Sequence, residues 1–411
     1  MAARAVALRA LREWRRQERF ADAIIHELLE DAGLSESDRA FARELFYGVL
    51  RNLRLLDFWI GLLREGKLDD TSRDILRLGL YQLFMLRTAA HAAVHETVAL
   101  ATKKNRGLIN AVLRTAQRRA TELEREAEAQ PLSIHFSHPD FLIARWSKNF
   151  GEEGVAAMAE LNNRPASIYA RVNRLKIASE EFFAGHPQYK PIPDRPDFFE
   201  ADHLPSDALA AGLLYVQDPS TAVACEMLDP QPNEHVLDAC AAPGGKTSLL
   251  AQQMKNRGAI LACDRDGERL NTMQQNLDRL GVTIATAAKV DWTRASGNQR
   301  KEQFDRILLD VPCSNTGVMR RRVDVRWRLN PDDFARMQKR QLAIARKVIE
   351  SLKPGGVLVY STCSIEPEEN EEVVVQLLNE FKDLQLLEQK VITPFADGFD
   401  GAFAAKLARI R

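Results

Sequence analysis

Two cysteines in this sequence stand where a reaction could use them. Cys313 follows an apolar run that ends in Asp310, and Cys363 follows a second apolar run that ends in Tyr360. A thiolate is a strong nucleophile toward an electron-poor pyrimidine ring when its surroundings lower the pKa of the thiol. A free cysteine is also commonly a small buried hydrophobe, so each cysteine taken alone fits a core position about as well.

The other residue types limit the kinds of reaction in which these cysteines could take part. No histidine follows His235, which excludes a Ser-His-Asp or Cys-His arrangement in the part of the chain that carries these cysteines. The five cysteines are an odd number, all lie in the second half of the chain, and none forms a C-x-x-C pair. We therefore expect no disulfide framework, no structural metal and no metal-bound water as a nucleophile.

A glycine-rich segment, DACAAPGGKT at residues 238–247, follows a strand-like run and opens a helix. Gly244 and Gly245 carry no side chain where a ligand would approach the backbone, and the helix start offers N–H donors. Acidic residues end the later strand-like runs or directly follow them. They are Asp264, Asp291 and Asp310. Because carboxylates accept hydrogen bonds from hydroxyl and amino groups, this array predicts a nucleoside-containing cofactor rather than a triphosphate.

The same segment nearly matches the phosphate-binding pattern G-x-x-x-x-G-K-[ST], with Cys240 in place of the first glycine. The run that ends in Asp310 also resembles a strand that ends in a magnesium-binding aspartate. On these two segments alone, an NTPase that binds magnesium-ATP is an alternative. The missing glycine and the positions of the two cysteines count against it.

The elements that must position these residues are short apolar runs that alternate with amphipathic stretches beyond residue 230. Four runs are strand-like: His235–Asp238, Ala259–Cys263, Ile307–Asp310 and Gly356–Tyr360. Such alternation predicts a C-terminal α/β domain with a parallel sheet covered by helices, in which ligands bind at the carboxyl ends of the strands.

The preceding residues divide into two parts. Residues 1–120 contain no proline and repeat apolar residues three and four apart, which predicts an all-α domain. The acidic stretch 121–130 has no recurrent apolar face and is expected to be an exposed helical extension or linker. Between 131 and 229, prolines separate short segments, as in a small α+β domain. The expected domains are therefore 1–130, 131–229 and 230–411.

Charge gives no global argument for a nucleic-acid partner, because 57 basic residues balance 57 acidic ones. Basic residues are nevertheless concentrated at 1–20, at 101–120 and around Trp327. These clusters are either solvated faces or RNA contacts. If they bind RNA, the expected contacts are Arg106, Arg114 and Arg118, together with Arg320, Arg321 and Arg326 beside the catalytic pocket. No apolar stretch is long enough for a membrane span and no signal peptide is evident, so we expect a cytoplasmic protein without a membrane partner.

Four motifs together carry a resemblance to a known family. DACAAPGGKT, DVPCSNTGV, LKPGG and YSTCSIEPEENE occur in this order, and they resemble the S-adenosylmethionine-dependent RNA cytosine-C5 methyltransferases. LINAVLR at 108–114 resembles a NusB-like domain, and RVNRLK at 171–176 resembles the family's small middle domain. The combination is similar to the bacterial members that modify 16S ribosomal RNA. The resemblance therefore implies an all-α NusB-like domain, a small α+β domain and a Rossmann-like catalytic domain, acting as a monomer.

The resemblance also implies roles for individual residues. Cys363 matches the nucleophile that adds to C6 of cytosine, and Cys313 matches the partner cysteine associated with release of the product. Asp310 is a candidate for stabilising protonated N3. The matched cofactor contacts are Cys240, Ala241, Ala242, Pro243, Gly244, Gly245, Lys246, Asp264, Asp291 and Asp310.

Three alternatives stay open. DNA cytosine methyltransferases use the Pro-Cys cysteine as nucleophile, which would exchange the roles of Cys313 and Cys363. The substrate could be another RNA such as tRNA, or the chain could be an RNA-binding module with an inert catalytic domain. The family usually has His-Pro-Asp where this chain has Arg322-Val323-Asp324, so the substrate contacts of that loop are not carried over.

Overall fold

The chain forms two compact units, which are described separately. The computed structural model describes residues 2–16, 18–294 and 303–410. The first unit contains Met1–Pro165 and Met319–Leu329, and the second contains Ala166–Val318 and Asn330–Arg411. The domain bounds expected from the sequence stay a prediction.

The first unit is all-helical, as predicted for residues 1–120. Its helices to residue 163 are α1 (Ala2–Arg15), α2 (Ala21–Glu30), α3 (Glu36–Arg51), α4 (Leu53–Leu63), α5 (Asp70–Phe84), α6 (Ala90–Val98), α7 (Arg106–Arg118), α8 (Ala120–Glu128), α9 (Leu132–His135) and α10 (Asp140–Asn163). Ser35 and Asp69 cap α3 and α5, because their side chains accept hydrogen bonds from the first-turn N–H groups of Asp38 and Ser72. The apolar faces of α1 to α8 meet in one core.

The stretch 121–130, expected to be an exposed helical extension or linker, is largely helical, but one face of its helix is buried. Helix α8 buries Leu123 and Ala127, which lie four residues apart on one helix face. The indole Nε1–H of Trp59 donates to the Leu123 carbonyl over 2.9 Å. Two apolar residues in a charged sequence are therefore enough to dock this short helix on the core.

The second unit begins with a small antiparallel sheet, in the order β2-β3-β1-β4. Its elements are β1 (Ile168–Val172), α11 (Ser179–Gly185), β2 (Pro191–Ile192), β3 (Arg195–Ala201), α12 (Ser206–Ala210) and β4 (Leu214–Val216). The fully buried Arg171 of β1 donates to Gln217, Ser248 and Gln252. The small sheet is thereby hydrogen-bonded to the helix that follows the glycine-rich segment.

A seven-stranded mixed sheet forms the rest of the second unit, in the order β10-β11-β9-β8-β5-β6-β7. Strands β5 to β9 are parallel, and β11 is antiparallel to both β9 and β10. The elements are α13 (Val223–Leu228), β5 (His235–Asp238), α14 (Gly245–Gln253), β6 (Ala259–Asp264), α15 (Gly267–Leu280), β7 (Ala285–Lys289), β8 (Phe304–Asp310), α16 (Val325–Arg328, in the first unit), α17 (Asp332–Ile349), β9 (Leu352–Thr362), α18 (Glu371–Glu380), β10 (Leu384–Ile392), α19 (Pro394–Asp397) and β11 (Ala402–Arg409). The predicted α/β architecture and its four predicted strands are confirmed.

Residues 319–329 leave the second unit and complete the first. Val323 joins the helical core, and Asp324 accepts the backbone N–H of Ala21 at the start of α2 over 2.9 Å. Arg326 is fully buried and donates to the Asn162 carbonyl over 2.9 Å and to Asn163 Oδ1 over 2.7 Å. Burial lowers the pKa of Arg326 to about 9.

This burial corrects one sequence-based expectation. The basic cluster around Trp327 predicts RNA contacts for Arg320, Arg321 and Arg326, yet Arg326 is fully buried and Arg320 is buried as well. Arg321 is half-buried. Five arginines within nine residues resemble a basic patch, but a chain segment that packs into a core turns part of such a patch inward. Arg326 and Arg320 are not available to RNA in this fold.

No helix in the part of the chain that the structure describes is long and apolar enough to span a membrane. Within the same residues, no group of three or more His, Cys, Asp or Glu side chains is arranged to hold a metal ion.

Candidate active site

The carboxyl ends of β8 and β9 carry the reactive side chains side by side. The two strands are parallel, and their register places Asp310 opposite Ser361. Ser361 Oγ donates to Asp310 Oδ1 over 2.8 Å, and the Val311 N–H donates to the Ser361 carbonyl over 3.0 Å. The end of one strand therefore orients the carboxylate of the other.

Lys246, at the start of α14, forms an ion pair with the same carboxylate. Its Nζ lies 2.6 Å from Asp310 Oδ2. Burial of the ammonium group acts to lower its pKa, but the adjacent Asp310 charge outweighs burial, and the pKa of Lys246 is raised. Both oxygens of Asp310 thus have donors, one from Ser361 and one from Lys246.

Cys313 and Cys363 face each other in the loops that follow these strands. Their Sγ atoms are 3.1 Å apart, and the Cys363 thiol also donates to Asn315 Oδ1 over 3.2 Å. Asn315 has a positive φ of 62° and its Nδ2 donates to the Cys313 carbonyl over 3.0 Å. The hydrogen bond with Cys363, burial and nearby negative charge together raise the pKa of Cys313.

Two glycines fix the backbone around Cys363. The Gly317 N–H donates to the Cys363 carbonyl over 3.0 Å, and the Gly401 N–H donates to the Gly317 carbonyl over 2.8 Å. A Cβ on Gly317 would lie 2.7 Å from the Cys363 carbonyl oxygen and 2.7 Å from that of Gly401. The backbones approach so closely that neither position has room for a side chain.

One cavity joins these groups. Lys246, Asp310, Ser361 and Cys363 line it together with Thr221, Val223, Ile392 and Phe403 and further residues of the same unit. Charged and nucleophilic groups therefore share a cavity with apolar side chains. Such a mixture suits a flat ring that has polar edges.

The glycine-rich segment turns tightly beside this cavity. Gly244 has a φ of +98°, which is a left-handed conformation that favours glycine. A Cβ on Gly245 would lie 2.7 Å from the ring of Tyr215. The Ala241 N–H donates to the Cys263 carbonyl over 2.7 Å, and Trp292 Nε1 donates to the Ala239 carbonyl over 2.8 Å. The segment is thus held between β5 and β6 before α14 begins.

Asp264 and Asp291 lie at the ends of neighbouring strands. Asp264 is the last residue of β6, and its carbonyl accepts the Val290 N–H, one residue before Asp291. Asp264 is buried, whereas Asp291 accepts from Thr293 Oγ1 over 2.6 Å, which holds the pKa of Asp291 below its ordinary value. The strand ends therefore present two carboxylates along the edge of the sheet.

These donors and acceptors fit a nucleoside-containing cofactor. Asp264 and Asp291 offer acceptors for hydroxyl and amino groups, and the backbone of residues 240–246 closes the adjoining turn. Arg269 contacts Asp264 Oδ2 at 3.3 Å and also donates to the Ala242 carbonyl. This arginine links the carboxylate of one strand end to the glycine-rich segment.

Asp238 is a fully buried acid within the same region. Its Oδ2 accepts the Thr247 hydroxyl over 2.7 Å. Burial raises the pKa of Asp238 to about 7, despite the Thr247 hydrogen bond, which favours the charged form.

Sequence reasoning missed the side chains that orient the reactive ones. Ser361 and Asn315 lie inside the quoted motifs YSTCS and DVPCSNTGV, but a polar residue there could equally have been a turn former. Arg269 belongs to no recognisable motif. Its role depends on the position of the glycine-rich segment beside the end of β6, which the sequence does not show. Only the hydrogen bonds between segments that are distant in the chain identify these residues.

Three family models match this chain. The one described as 16S rRNA methyltransferase RsmB/F covers residues 225–407, the NusB family covers 1–118, and the ferredoxin-like domain of Methyltr_RsmF/B-like proteins covers 138–185. The order helical, small mixed and α/β thus agrees with the observed folds.

Curated relatives extend over nearly the whole chain. The chain is 35% identical to ribosomal RNA small subunit methyltransferase B of Yersinia pestis over 431 residues, which covers 99% of this chain and 98% of the relative. It is 33% identical to the probable ribosomal RNA small subunit methyltransferase B of Bacillus subtilis, over 93% of this chain and 89% of the relative.

Two solved structures have a similar fold. The protein PH0851 has a TM-score of 0.79 at 25% identity and covers 99% of this chain and 98% of its own. A methyltransferase homolog protein from Pyrococcus horikoshii has a TM-score of 0.61 at 31% identity, over 68% of this chain and 98% of its own.

Proposed function

Since the chain belongs to the 16S rRNA methyltransferase RsmB/F family, we propose that it transfers a methyl group from S-adenosylmethionine to C5 of a cytosine in 16S ribosomal RNA. The single observation that carries the cytosine-C5 chemistry is the pair of thiols 3.1 Å apart beside an Asp-Lys ion pair. C5 of cytosine is an unreactive ring carbon and must become a nucleophile before it can accept a methyl group. A thiol that adds to the neighbouring C6 brings about this change.

Cys363 is the proposed nucleophile. Its thiolate forms a bond to C6 of cytosine, and the electrons of the C5–C6 double bond then make C5 a carbon nucleophile. Asp310 lies in the same cavity and stabilises the proton at N3, because the addition builds electron density on the ring. After C5 is methylated, the C5 proton and the N3 proton pass to water. The electron pair of the C5–H bond restores the double bond as the C6–S bond breaks, and the Cys363 sulfur leaves as thiolate. Cys313 is the proposed partner in this release.

Lys246 and Ser361 are positioning residues for Asp310 in this scheme. Each holds one oxygen of the carboxylate. Lys246 also places a positive charge 2.6 Å from the Asp310 carboxyl group. The carboxylate can therefore meet the pyrimidine edge in one fixed orientation.

The residues proposed to hold the cofactor are Asp264 and Asp291, with the segment 240–246. Asp264 suits the ribose hydroxyls, and Asp291 suits an adenine amino group. When bound, S-adenosylmethionine supplies an electrophilic methyl group. The NTPase alternative is disfavoured, because the lysine of the phosphate-binding pattern is engaged by Asp310.

A pair of single substitutions tests this assignment. Cys363→Ala should abolish methylation and form no covalent adduct with RNA. Cys313→Ala should still add to the base but release it poorly, so an adduct should accumulate in the presence of S-adenosylmethionine. Denaturing gel electrophoresis with labelled 16S rRNA measures both. Cys263→Ala, a buried cysteine of β6 outside the cavity, is the matched control and should behave as wild type.

The reverse pattern would contradict the assignment. An adduct from Cys363→Ala and none from Cys313→Ala would show the arrangement of the DNA enzymes. Mapping 5-methylcytosine in small-subunit rRNA and in tRNA from cells that lack the protein tests the substrate. A missing methyl group in tRNA alone would contradict 16S rRNA as the substrate.

A further inference from the structure

A buried glutamate connects the two cysteine loops. Glu369 lies in the short 3-10 turn Pro367–Glu369 before α18 and has no exposed surface. Its Oε2 accepts the backbone N–H of Ser314 over 2.9 Å and Gln341 Nε2 over 2.8 Å. Its Oε1 accepts the Ser364 hydroxyl over 2.8 Å. Ser314 follows Cys313 in the chain and Ser364 follows Cys363, so one carboxylate holds the immediate neighbours of both thiols.

Further hydrogen bonds fix the backbone around this carboxylate. Tyr360 Oη donates to the Glu369 carbonyl over 2.6 Å. Asn370 Nδ2 donates to the Ser364 carbonyl over 2.9 Å, and Gln341 also donates to the Pro312 carbonyl over 3.1 Å. The groups that donate to the Glu369 carboxylate are a backbone N–H, an amide side chain and a hydroxyl, all of them neutral. Burying an acid that only three neutral donors hold costs folding free energy. Its presence here therefore points to a role in the site.

The two thiols are not equivalent toward this group. On the Cys313 side, Glu369 bonds the N–H of the peptide that joins Cys313 to Ser314. On the Cys363 side it reaches only the hydroxyl of the next residue. The titratable groups that act on Cys313 are Cys363 after β9, Tyr360 within β9 and Glu369, while α17 contributes the neutral Gln341.

We propose that Glu369 is a positioning residue that gives the two cysteines different roles in the reaction. It holds both cysteine loops in register and places its carboxylate against the Cys313 peptide. The proposal rests on the proposed function, because only a two-thiol reaction needs its thiols to differ. A negative charge beside a thiol disfavours the thiolate. The hydrogen bond with Cys363 and burial raise the pKa of Cys313 most, and Glu369 adds to them, so that Cys313 stays the neutral thiol and nucleophilic addition is left to Cys363.

The test measures the pH at which each thiol becomes reactive in the protein without RNA. Wild type, Glu369→Gln and Glu372→Gln are labelled with methyl methanethiosulfonate across a pH series, and the Cys313 and Cys363 peptides are quantified by mass spectrometry. Glu372 is the matched control, because it is an exposed glutamate of α18 that also accepts a glutamine side chain, Gln338. Single-turnover methylation of 16S rRNA is measured with the same preparations.

In wild type, Cys313 should reach half-maximal reactivity at a higher pH than Cys363. Glu369→Gln should move the Cys313 midpoint to lower pH, which raises its labelling about tenfold for each unit of pKa at a pH below the midpoint. The same variant should slow methylation, whereas Glu372→Gln should match wild type in both measurements. A loosened loop alone would raise labelling without moving the midpoint.

Two results would overturn the proposal. One is a Cys313 midpoint that is the same in Glu369→Gln and Glu372→Gln. The other, which needs no variant to fold, is a wild-type Cys313 midpoint at or below that of Cys363. If the midpoints behave as expected but wild type methylates no rRNA, the proposed function fails, and the electrostatic role of Glu369 stands.

Discussion

Asp264 is the residue whose replacement tests the proposed cofactor site most directly. Asp264→Ala removes a charged acceptor at the end of β6, and loss of a hydrogen bond to a charged group costs about 1.5–3 kcal/mol. We expect the affinity for S-adenosylmethionine to fall about tenfold to a hundredfold in calorimetric titration. Asp278→Ala, an exposed aspartate on α15, is the control. Wild-type affinity in a folded Asp264→Ala variant would remove Asp264 from the site.

Asp238 predicts a pH dependence of stability. Its pKa in the folded protein is about 7, well above the ordinary value of an aspartate of about 4. The folded protein therefore binds this proton more tightly than the unfolded chain, so this contribution to stability is complete below about pH 4 and is lost as the pH rises to about 7. The greatest slope is roughly 1.4 kcal/mol per pH unit.

Urea unfolding of wild type and Asp238→Asn between pH 5 and 8 measures this contribution. The asparagine cannot ionise, so the wild-type free energy of unfolding should decrease relative to that of the variant up to about pH 7 and then stay level. A difference between the two proteins that does not change with pH would show that Asp238 titrates alike in both states.

At the scale of single residues, the reactive groups could be predicted from the sequence, but the residues that orient them could not. Cys313, Cys363 and Asp310 are recognisable because each follows or ends an apolar run, and parallel strands bring such positions to one edge. Asn315, Ser361 and Glu369 act through hydrogen bonds between segments that are distant in the chain. Periodicity carries no signal for such hydrogen bonds.

At the scale of elements, the turn after β8 and the loop before β11 meet without space for a side chain. In Gly317→Ala, the new methyl group would lie 2.7 Å from the carbonyl oxygens of Cys363 and Gly401. Overpacking of this kind costs about 1–3 kcal/mol. We expect a lower melting temperature and slower methylation, because the Cys363 carbonyl must move. Gly107→Ala in α7, where nothing lies within 4 Å, should leave both unchanged or slightly raise stability.

The strands and helices are largely predictable because their apolar periods are regular. The sequence allows the helix α8 but does not predict its docking on the core, since two buried residues, Leu123 and Ala127, are too few to form a visible stripe. In the basic run at 320–328, the prediction of RNA contacts is wrong for Arg320 and Arg326, for a related reason. The partners of Arg326 include backbone carbonyls of the residues around it. Every residue has a backbone carbonyl, so the sequence does not indicate which ones accept hydrogen bonds from an arginine.

For the whole molecule, RNA binding should depend on local charge in spite of the zero net charge. Arg106 and Arg118 of α7 are exposed and Arg114 is half-buried, and no acid lies in this helix. We expect the triple Arg→Ala variant to bind 16S rRNA more weakly and to flatten the plot of log affinity against log salt. The slope should change by about 0.7–0.9 for each phosphate group that the variant no longer neutralises.

A triple variant with the same change in net charge is the control. Lys255, Arg257 and Lys382 are exposed near the amino ends of the strands, at the opposite edge of the sheet from Cys363. Their replacement by Ala should leave the salt dependence as in wild type. Equal slopes for wild type and both triple variants would mean that the basic face of α7 is only solvated.

Arg326 should give the opposite pattern. Arg326→Leu leaves the Asn162 carbonyl and Asn163 Oδ1 without this donor, and each buried unsatisfied group costs about 1–3 kcal/mol. We expect a clear loss of thermal stability and no change in the salt dependence of RNA binding by the folded fraction. A flattened slope at full stability would restore Arg326 as an RNA contact.

The segment 319–329, which completes the helical unit, lies within the catalytic sequence between β8 and α17, and this position affects how the protein is made. Chains are synthesised at about 5–20 residues per second, so on the order of ten seconds or more passes between residue 165 and residue 329. During that interval the nascent N-terminal helices lack Val323 in their core and Asp324 at the start of α2. The helical unit, which leaves the ribosome first, is therefore completed only after β5 to β8 of the second unit have been synthesised, and before β9 to β11.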